Sequence, residues 1–430
     1  MTSRKAGKPA ASKSGARKSA PAYLDAKRGV SSWSQASEWL RVRGIEDIEC
    51  ITPDFAGVAR GKMMPSSKFT SNTSLSLPSA VFRHTISGEY PEETGDFRYD
   101  PLDGDLKLMP DLSTLSVVPW ESDPTAQVVC DMVKTNGETV AYTPRNVLKR
   151  VVDLYTQRGW KPVVAPEIEF YLVAKHDDPD YPLQPPKGRS GRTITGGQSY
   201  SIAGVNEFDE LVDDIYDFSD KQGLEIDTLI HEEGPAQMEI NLRHGDPVEL
   251  ADQVFMFKRT IREAAIKHGV FATFMAKPMQ EYAGSAMHIH QSVVDAETGK
   301  NIFSKADGGP SQAFFNFIGG MQHYVPKALV MMAPYVNSYL ALAASLACGY
   351  LGMVNGIVPS DPAEETVNEG SVDLPRGLLE AVSLLESESA FADMFGQEFI
   401  NTYAGVKRGE FETFMQVISP WEREFLLLNV

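Results

Sequence analysis

Cysteine is scarce: Cys50, Cys130 and Cys348 are the only three in 430 residues, odd in number, far apart and in no metal-like spacing. Such a set supports neither a disulfide framework nor a thiolate zinc site, and a reducing compartment, the cytoplasm, is the simplest setting. No apolar secretory core follows the basic start, so no signal peptide is expected. Positive charge is also short. Lys and Arg number 40 against 58 Asp and Glu, for a net charge of -18. Eight of the 40 Lys and Arg fall in the first 29 positions against a single Asp, which leaves the rest of the chain more acidic still. A body of that sign disfavours nucleic acid and anionic membranes as partners. Arginine is absent between Arg262 and Arg376, and Ala328 to Ser360 contains no Asp, Glu, Lys or Arg at all. A membrane span needs about 20 continuous apolar residues. Here Pro334, Asn337, Ser338, Gly349, Gly352 and Asn355 interrupt the run.

What is present is ordinary in bulk, with 42% hydrophobic and 23% charged residues. The opening MTSRKAGKPAASKSGARKSAPAY has the composition of a transit peptide or a disordered tail, and residues 1–30 are read as a disordered basic tail. SQASEWLRVRG then reads as a short helix closed by Gly44. IEDIECITPDFAGVARGKMM reads as strand, turn, strand, with Pro53, Asp54 and Gly57 making the turn, and AQVVCDMV from Ala126 as an apolar strand. Residues 31–135 are thus expected to form a small α+β domain and 136–430 a larger one. In the latter, Thr143 and Pro144 start a helix whose apolar face holds Val147, Leu148, Val151 and Leu154. Asp246 to His268 predicts a long amphipathic helix, with Arg259, Arg262 and Lys267 toward its negative end. From Leu374 onward the pattern is again helical.

Three segments carry chemistry: VVAPEIEFYL, HEEGPAQMEINL and AGSAMHIHQS. Side chains in a strand alternate faces. Glu167 and Glu169 therefore share a face, as do Gln237, Glu239 and Asn241, and as do His288, His290 and Ser292. One such strand alone is an ordinary sheet face in water. Three of them, bearing short ligand-like groups, predict a polar-lined concave site. Two like charges in Glu-x-Glu repel unless a cation sits between them. Oxygen ligands with an imidazole suit Mg²⁺ or Mn²⁺ better than Zn²⁺. Taken singly, His290 is equally a hydrogen-bonded core histidine, Asp54 a turn residue, Glu233 a solvated one, and Tyr335 and Tyr339 packing residues.

In this order and spacing, E-I-E-F, E-x-x-P-x-Q-x-E (Glu232 to Glu239), K-P (Lys277, Pro278) and G-S-x-M-H-x-H-x-S (Gly284 to Ser292) resemble glutamine synthetase, most closely its γ-glutamyl-polyamine synthetase branch. The resemblance runs from about Ile45 to the C-terminus. It implies an α+β architecture: a small β-grasp-like N-terminal domain, then a catalytic domain whose curved antiparallel sheet is backed by helices. The uncharged run becomes a buried element of that domain. Glu169, Glu232 and Glu239 would hold a first divalent ion, and Glu167 and His288 a second. His290 and Ser292 would contact ATP, and Gly284 would belong to the loop receiving glutamate. Asp54 would draw the amine or ammonia across a subunit boundary, in a ring-shaped homo-oligomer for which a dodecamer is one size. The implied reaction is ATP-dependent joining of glutamate's γ-carboxylate to an amine through a γ-glutamyl phosphate.

The same comparison implies a missing segment. In the family, a stretch like A-P-Y-V-N-S-Y is separated by several dozen residues from one like N-P-Y-L-A-x-A-A. Here Tyr339 runs straight into Leu340. The segment between would carry glutamate- and phosphate-binding arginines, a flap glutamate and a third ligand of the second ion. Its loss would remove sheet and expose apolar surface. Lys277 is one remaining cation on that side. Three readings stay open at this point: a ligase preferring polyamine-type amines, a glutamine synthetase using ammonia, and a shortened homologue without catalysis that serves assembly or binding.

Overall fold

The computed structural model describes residues 21–71, 75–91, 104–196, 198–333, 336–362 and 374–429. Tyr335 and the first 20 positions of the basic tail lie outside these. Residues 21–30 do not behave as tail. Arg28 bridges Ser116, Val30 is buried, and the buried Trp39 indole donates to the Ala26 carbonyl at 2.9 Å.

The first domain runs α1 (Ala22–Asp25), α2 (Trp33–Arg43), β1 (Asp47–Pro53), β2 (Ala59–Pro65), α3 (Ser66–Thr70), β3 (Leu75–Pro78), β4 (Asp105–Pro110), β5 (Ser116–Val117) and β6 (Thr125–Val133). Its sheet has the order β2-β1-β6-β4-β3, with β5 on β6. β1 and β6 are parallel and the other pairs antiparallel. Helix α2 ends where the sequence predicts, on Gly44 at φ 64°, a left-handed conformation open to glycine.

The second domain runs α4 (Pro144–Gln157), β7 (Trp160–Ala174), α5 (Ile202–Asn206), α6 (Asp209–Gln222), β8 (Ile226–His231), β9 (Gln237–Leu242), α7 (Pro247–Lys267), β10 (Val270–Thr273) and β11 (Met287–Asp295). Helices α8 (Gln312–Ala328), α9 (Ser338–Asn355), α10 (Leu378–Ser387), α11 (Ser389–Phe395), α12 (Gln397–Met415) and α13 (Pro420–Phe425) complete it. The sheet is antiparallel throughout. Long β7 is its axis, with β10 and β11 on one edge and β9, then β8, on the other. Pro144 opens α4 as expected, but the Thr143 hydroxyl donates to the Val140 carbonyl and leaves the helix without a side-chain cap. Asp246 does cap α7, accepting from Val248 and Glu249.

The uncharged run forms α9, which is apolar and long enough to cross a membrane, yet 89% of it is buried inside the fold. It is a core helix. Its mate is α8, and glycines let the two backbones touch. A Cβ on Gly320 or Gly352 would overlap main-chain atoms of the facing helix. We expect Gly352→Ala to lower stability by about 1–3 kcal/mol, the range for overpacking. A thermal melt checks this, and an unchanged midpoint would show that the helices have room.

A buried ion network links the N-terminal sheet to the helices of the second sheet. The Arg145 guanidinium on α4 is bidentate to Asp252 of α7 (2.9 and 2.8 Å) and also meets Asp131 of β6 (2.5 Å) and Asp111 beyond β4 (2.7 Å). Lys149 adds a second contact to Asp131 at 2.6 Å. Tyr339, expected only to pack, is fully buried and donates its hydroxyl to Asp252 at 2.7 Å. Asn337 caps α9 through Tyr339 and Leu340 and donates to the Asp54 carbonyl. Ser338 donates to the Ala251 carbonyl. The place where the sequence runs abruptly from one motif into another is therefore firmly built.

Candidate active site

Strand register does the first part of the assembly. Glu167 lies opposite His288 of β11 on one side and Asn241 of β9 on the other, and Glu169 lies opposite Glu239. Glu232 follows directly on β8, and its backbone N–H bonds the Gln237 carbonyl, closing the turn into β9. His288 Nδ1 then stands 3.3 Å from Glu167, 3.7 Å from Glu169 and 3.8 Å from Glu239. His290 Nε2 meets the other oxygen of Glu167 at 2.9 Å. Donor atoms of Glu167, Glu239 and His288 lie within 4.8 Å of one another.

Glu169 and Glu239 are buried. Burial pushes both carboxyls above the usual glutamate range. The Ala286 N–H and His288 oppose this at Glu169, and Asn241 opposes it at Glu239. Glu167 and Glu232 add repulsion at both. Among the described residues, no Lys or Arg pairs with Glu167, Glu169, Glu232 or Glu239. Four carboxylates whose nearest cationic groups are imidazoles are short of positive charge, and their oxygen-rich donor set fits hard divalent cations. Glu167, Glu169, Glu239 and His288 form one cluster, with Glu232 close enough to repel Glu169 and Glu239. His288 lies within reach of carboxylates expected at both ion positions, so two separate ligand groups are not distinguished.

Several supporting residues take roles that the sequence pattern does not disclose. Gln237 shares the Glu239 face, but its role is that of a clamp. Its amide donates to Glu169 (3.0 Å), to the Gly284 carbonyl (3.0 Å) and to Ser285. Asn241 donates to Glu239 and accepts from Thr228. Tyr171 donates to the Ala283 carbonyl at 2.7 Å. Gly234 permits this, because a Cβ there would overlap the Tyr171 hydroxyl. Ala236 takes a left-handed φ of 56°, an unusual conformation for a residue with a Cβ. Gly284 sits where a Cβ would come within 2.7 Å of the Ala276 carbonyl oxygen. Lys277 is spent on the Tyr282 carbonyl of the same loop.

The other expected site residues are placed differently. His290 is largely exposed, and Ser292 has a buried hydroxyl without a hydrogen-bond partner. Asp54 lies in the β1–β2 turn, outside the cluster's hydrogen bonds and ion pairs. One of its oxygens accepts from Ala56 and Val58, and the other pairs with Arg60 at 2.8 Å.

The family description "glutamine synthetase, catalytic domain" matches residues 141–340 and 336–426. The chain belongs to the glutamine synthetase family. It is thereby an ATP-dependent C–N ligase by family. The γ-glutamylputrescine synthetase PuuA of Escherichia coli K12 is 30% identical, over 94% of this chain and 96% of that protein. Glutamate–isopropylamine ligase of a Pseudomonas species is 28% identical over 90% and 95%. The glutamine synthetase of Halobacterium salinarum is 29% identical over 75% and 83%. Ligand-free GmaS superposes with a TM-score of 0.77 at 21% identity, covering 91% of this chain and 99% of GmaS. That likeness establishes the glutamine synthetase fold. The two family matches overlap on residues 336–340, and the alignment with PuuA spans 459 positions, more than the whole chain of 430. Family members thus carry residues for which this chain has no counterpart.

Proposed function

We propose that this chain joins the γ-carboxylate of glutamate to an amine at the expense of ATP, with polyamine-type amines preferred. The carrying observation is the set Glu167, Glu169, Glu239 and His288 from three strands, with Glu232 just after a fourth, which no Lys or Arg among the described residues neutralises. Glutamate's carboxylate is a poor electrophile. Its phosphorylation gives an acyl phosphate, and the amine nitrogen then attacks the acyl carbon and expels phosphate. Two divalent ions, Mg²⁺ or Mn²⁺, held by those five residues would neutralise charge on the phosphate oxygens. Gln237 and Asn241 keep the carboxylates aimed. The Gly284 loop, clamped by Gln237 and Tyr171, receives glutamate, while His290 and Ser292 face ATP. Asp54 serves the amine in a neighbouring subunit of a homo-oligomeric ring, and three free, buried cysteines suit the cytoplasm.

Relatives named for putrescine and isopropylamine support the preference for an amine over ammonia. Phosphate release measured with ATP, Mg²⁺, glutamate and equal concentrations of putrescine or ammonia tests it. Faster release with putrescine is expected, whereas faster release with ammonia assigns glutamine synthetase activity. The overlapping family matches and the open imidazole side favour one other reading, a shortened member that assembles or binds without catalysis. Absence of phosphate release with putrescine, other amines and ammonia alike would leave only that reading.

A further inference from the structure

A separate cavity of about 600 Å³ shares no lining residue with the carboxylate cluster. Its walls are the β1–β2 turn at residues 56–59, the late turns of α7, the end of β10 with Phe274, and Val336. Three cations reach it from α7, and they differ in what they touch. Arg259 is neutralised by Glu49 at 2.6 Å. Among the described residues Lys258 donates only to the Val336 carbonyl, at 2.7 Å, and it lies 5.3 Å from the Phe274 ring centre. Arg262 stands 5.1 Å from the same ring and has no hydrogen bond or ion pair among the described residues. The one carboxylate in the wall, Glu263, pairs with neither. The turn, β10 and Val336 contribute no charged side chain to the lining.

Half-buried Lys258 and exposed Arg262 stand against one aromatic ring with no anion paired to either among the described residues, in a body that is acidic overall. We propose that this cavity binds a small oxyanion, a carboxylate or phosphate on a compact apolar body, between Lys258 and Arg262. Ammonium and guanidinium are the usual recognition groups for such anions, and Ile86, Val58 and Met275 supply apolar wall for the body. Burial, and then the neighbouring Arg262, push the Lys258 amine down to about 7. A bound anion would favour its charged form again.

The probe is pyridoxal 5′-phosphate, an aldehyde that carries an oxyanion, applied to the full chain near pH 7. The unprotonated Lys258 amine attacks the aldehyde carbon, water leaves, and borohydride delivers hydride to the resulting imine carbon while solvent protonates the nitrogen. Peptide mass spectrometry locates the label. Labelling is expected to concentrate on Lys258. Inorganic phosphate and succinate are the competitors, and the one that protects at lower concentration names the source as phosphoryl or carboxylate. Arg262→Met should weaken labelling roughly tenfold, the loss of one charge-assisted contact, with an unchanged melting temperature. Arg262→Lys should keep most of it. Equal labelling of Lys258 by pyridoxal without its phosphate, or no protection by either anion, overturns the proposal. Neither result touches amine-dependent phosphate release, so the ligase reading stands or falls separately.

Discussion

Chains carrying Arg145→Met should unfold at urea concentrations well below those of the parent, with a loss of about 3–5 kcal/mol. That is a large share of the roughly 5–15 kcal/mol that holds a domain together. The guanidinium is only 3% exposed and is shared by Asp111, Asp131 and Asp252. Methionine fills much of the volume but leaves three carboxylates facing one another. Asp131 retains Lys149 and some water, and Asp111 is also partly exposed. Asp252 is the difficult one, buried and left with the Tyr339 hydroxyl alone. Adding Asp252→Asn removes that orphaned charge and should return part of the loss, so the two changes combine less than additively. Full additivity, or a drop in stability under about 1 kcal/mol for Arg145→Met, would mean that the network contributes little.

Glu239→Gln should have the opposite sign without metal and a larger effect with it. The metal-free site confines four glutamates, so removing one charge relieves repulsion and raises the melting temperature slightly. In the parent, Mg²⁺ or Mn²⁺ should add about 2.7 kcal/mol at a concentration a hundredfold above its dissociation constant. In Glu239→Gln most of that gain should vanish, together with amine-dependent phosphate release. The pH dependence follows from the raised carboxyls of Glu169 and Glu239. Without metal, their contribution is fully present below the ordinary glutamate range and is lost as pH rises through the raised values. Melting curves of the parent from mildly acidic to neutral pH, with and without Mg²⁺, check this. A variant stabilised by metal as strongly as the parent would remove Glu239 from the ligand set.

Much of this site was legible because a strand has period two. Alternation alone put Glu167 with Glu169, Gln237 with Glu239, and His288 with His290, and the structure brings these faces together. What alternation does not carry is pairing. That Glu169 faces Glu239 and Glu167 faces His288 depends on register between strands far apart in sequence. Gln237 and Tyr171 escaped notice as clamps because their partners, residues 283–285, lie in a loop whose approach no local pattern predicts. Arg145 is the extreme case: its partners at 111, 131 and 252 come from three elements, and its own helix marks it only as a buried-face position. Thr143 failed for a local reason, its hydroxyl being drawn back to the Val140 carbonyl. Residues 21–30 were read as tail from composition, which is blind to the single buried indole that ties them down.

The overlap of the two family matches has a mechanical corollary. Val336 to Leu340 fall within both family matches, at the end of the first and the beginning of the second. The join leaves the fold anchored, because these few residues supply both the start of α9 and the hydrogen bonds that hold it. Any difference in performance from longer relatives would therefore arise at the exposed His288 and His290 side of the carboxylate cluster rather than at residues 336–340.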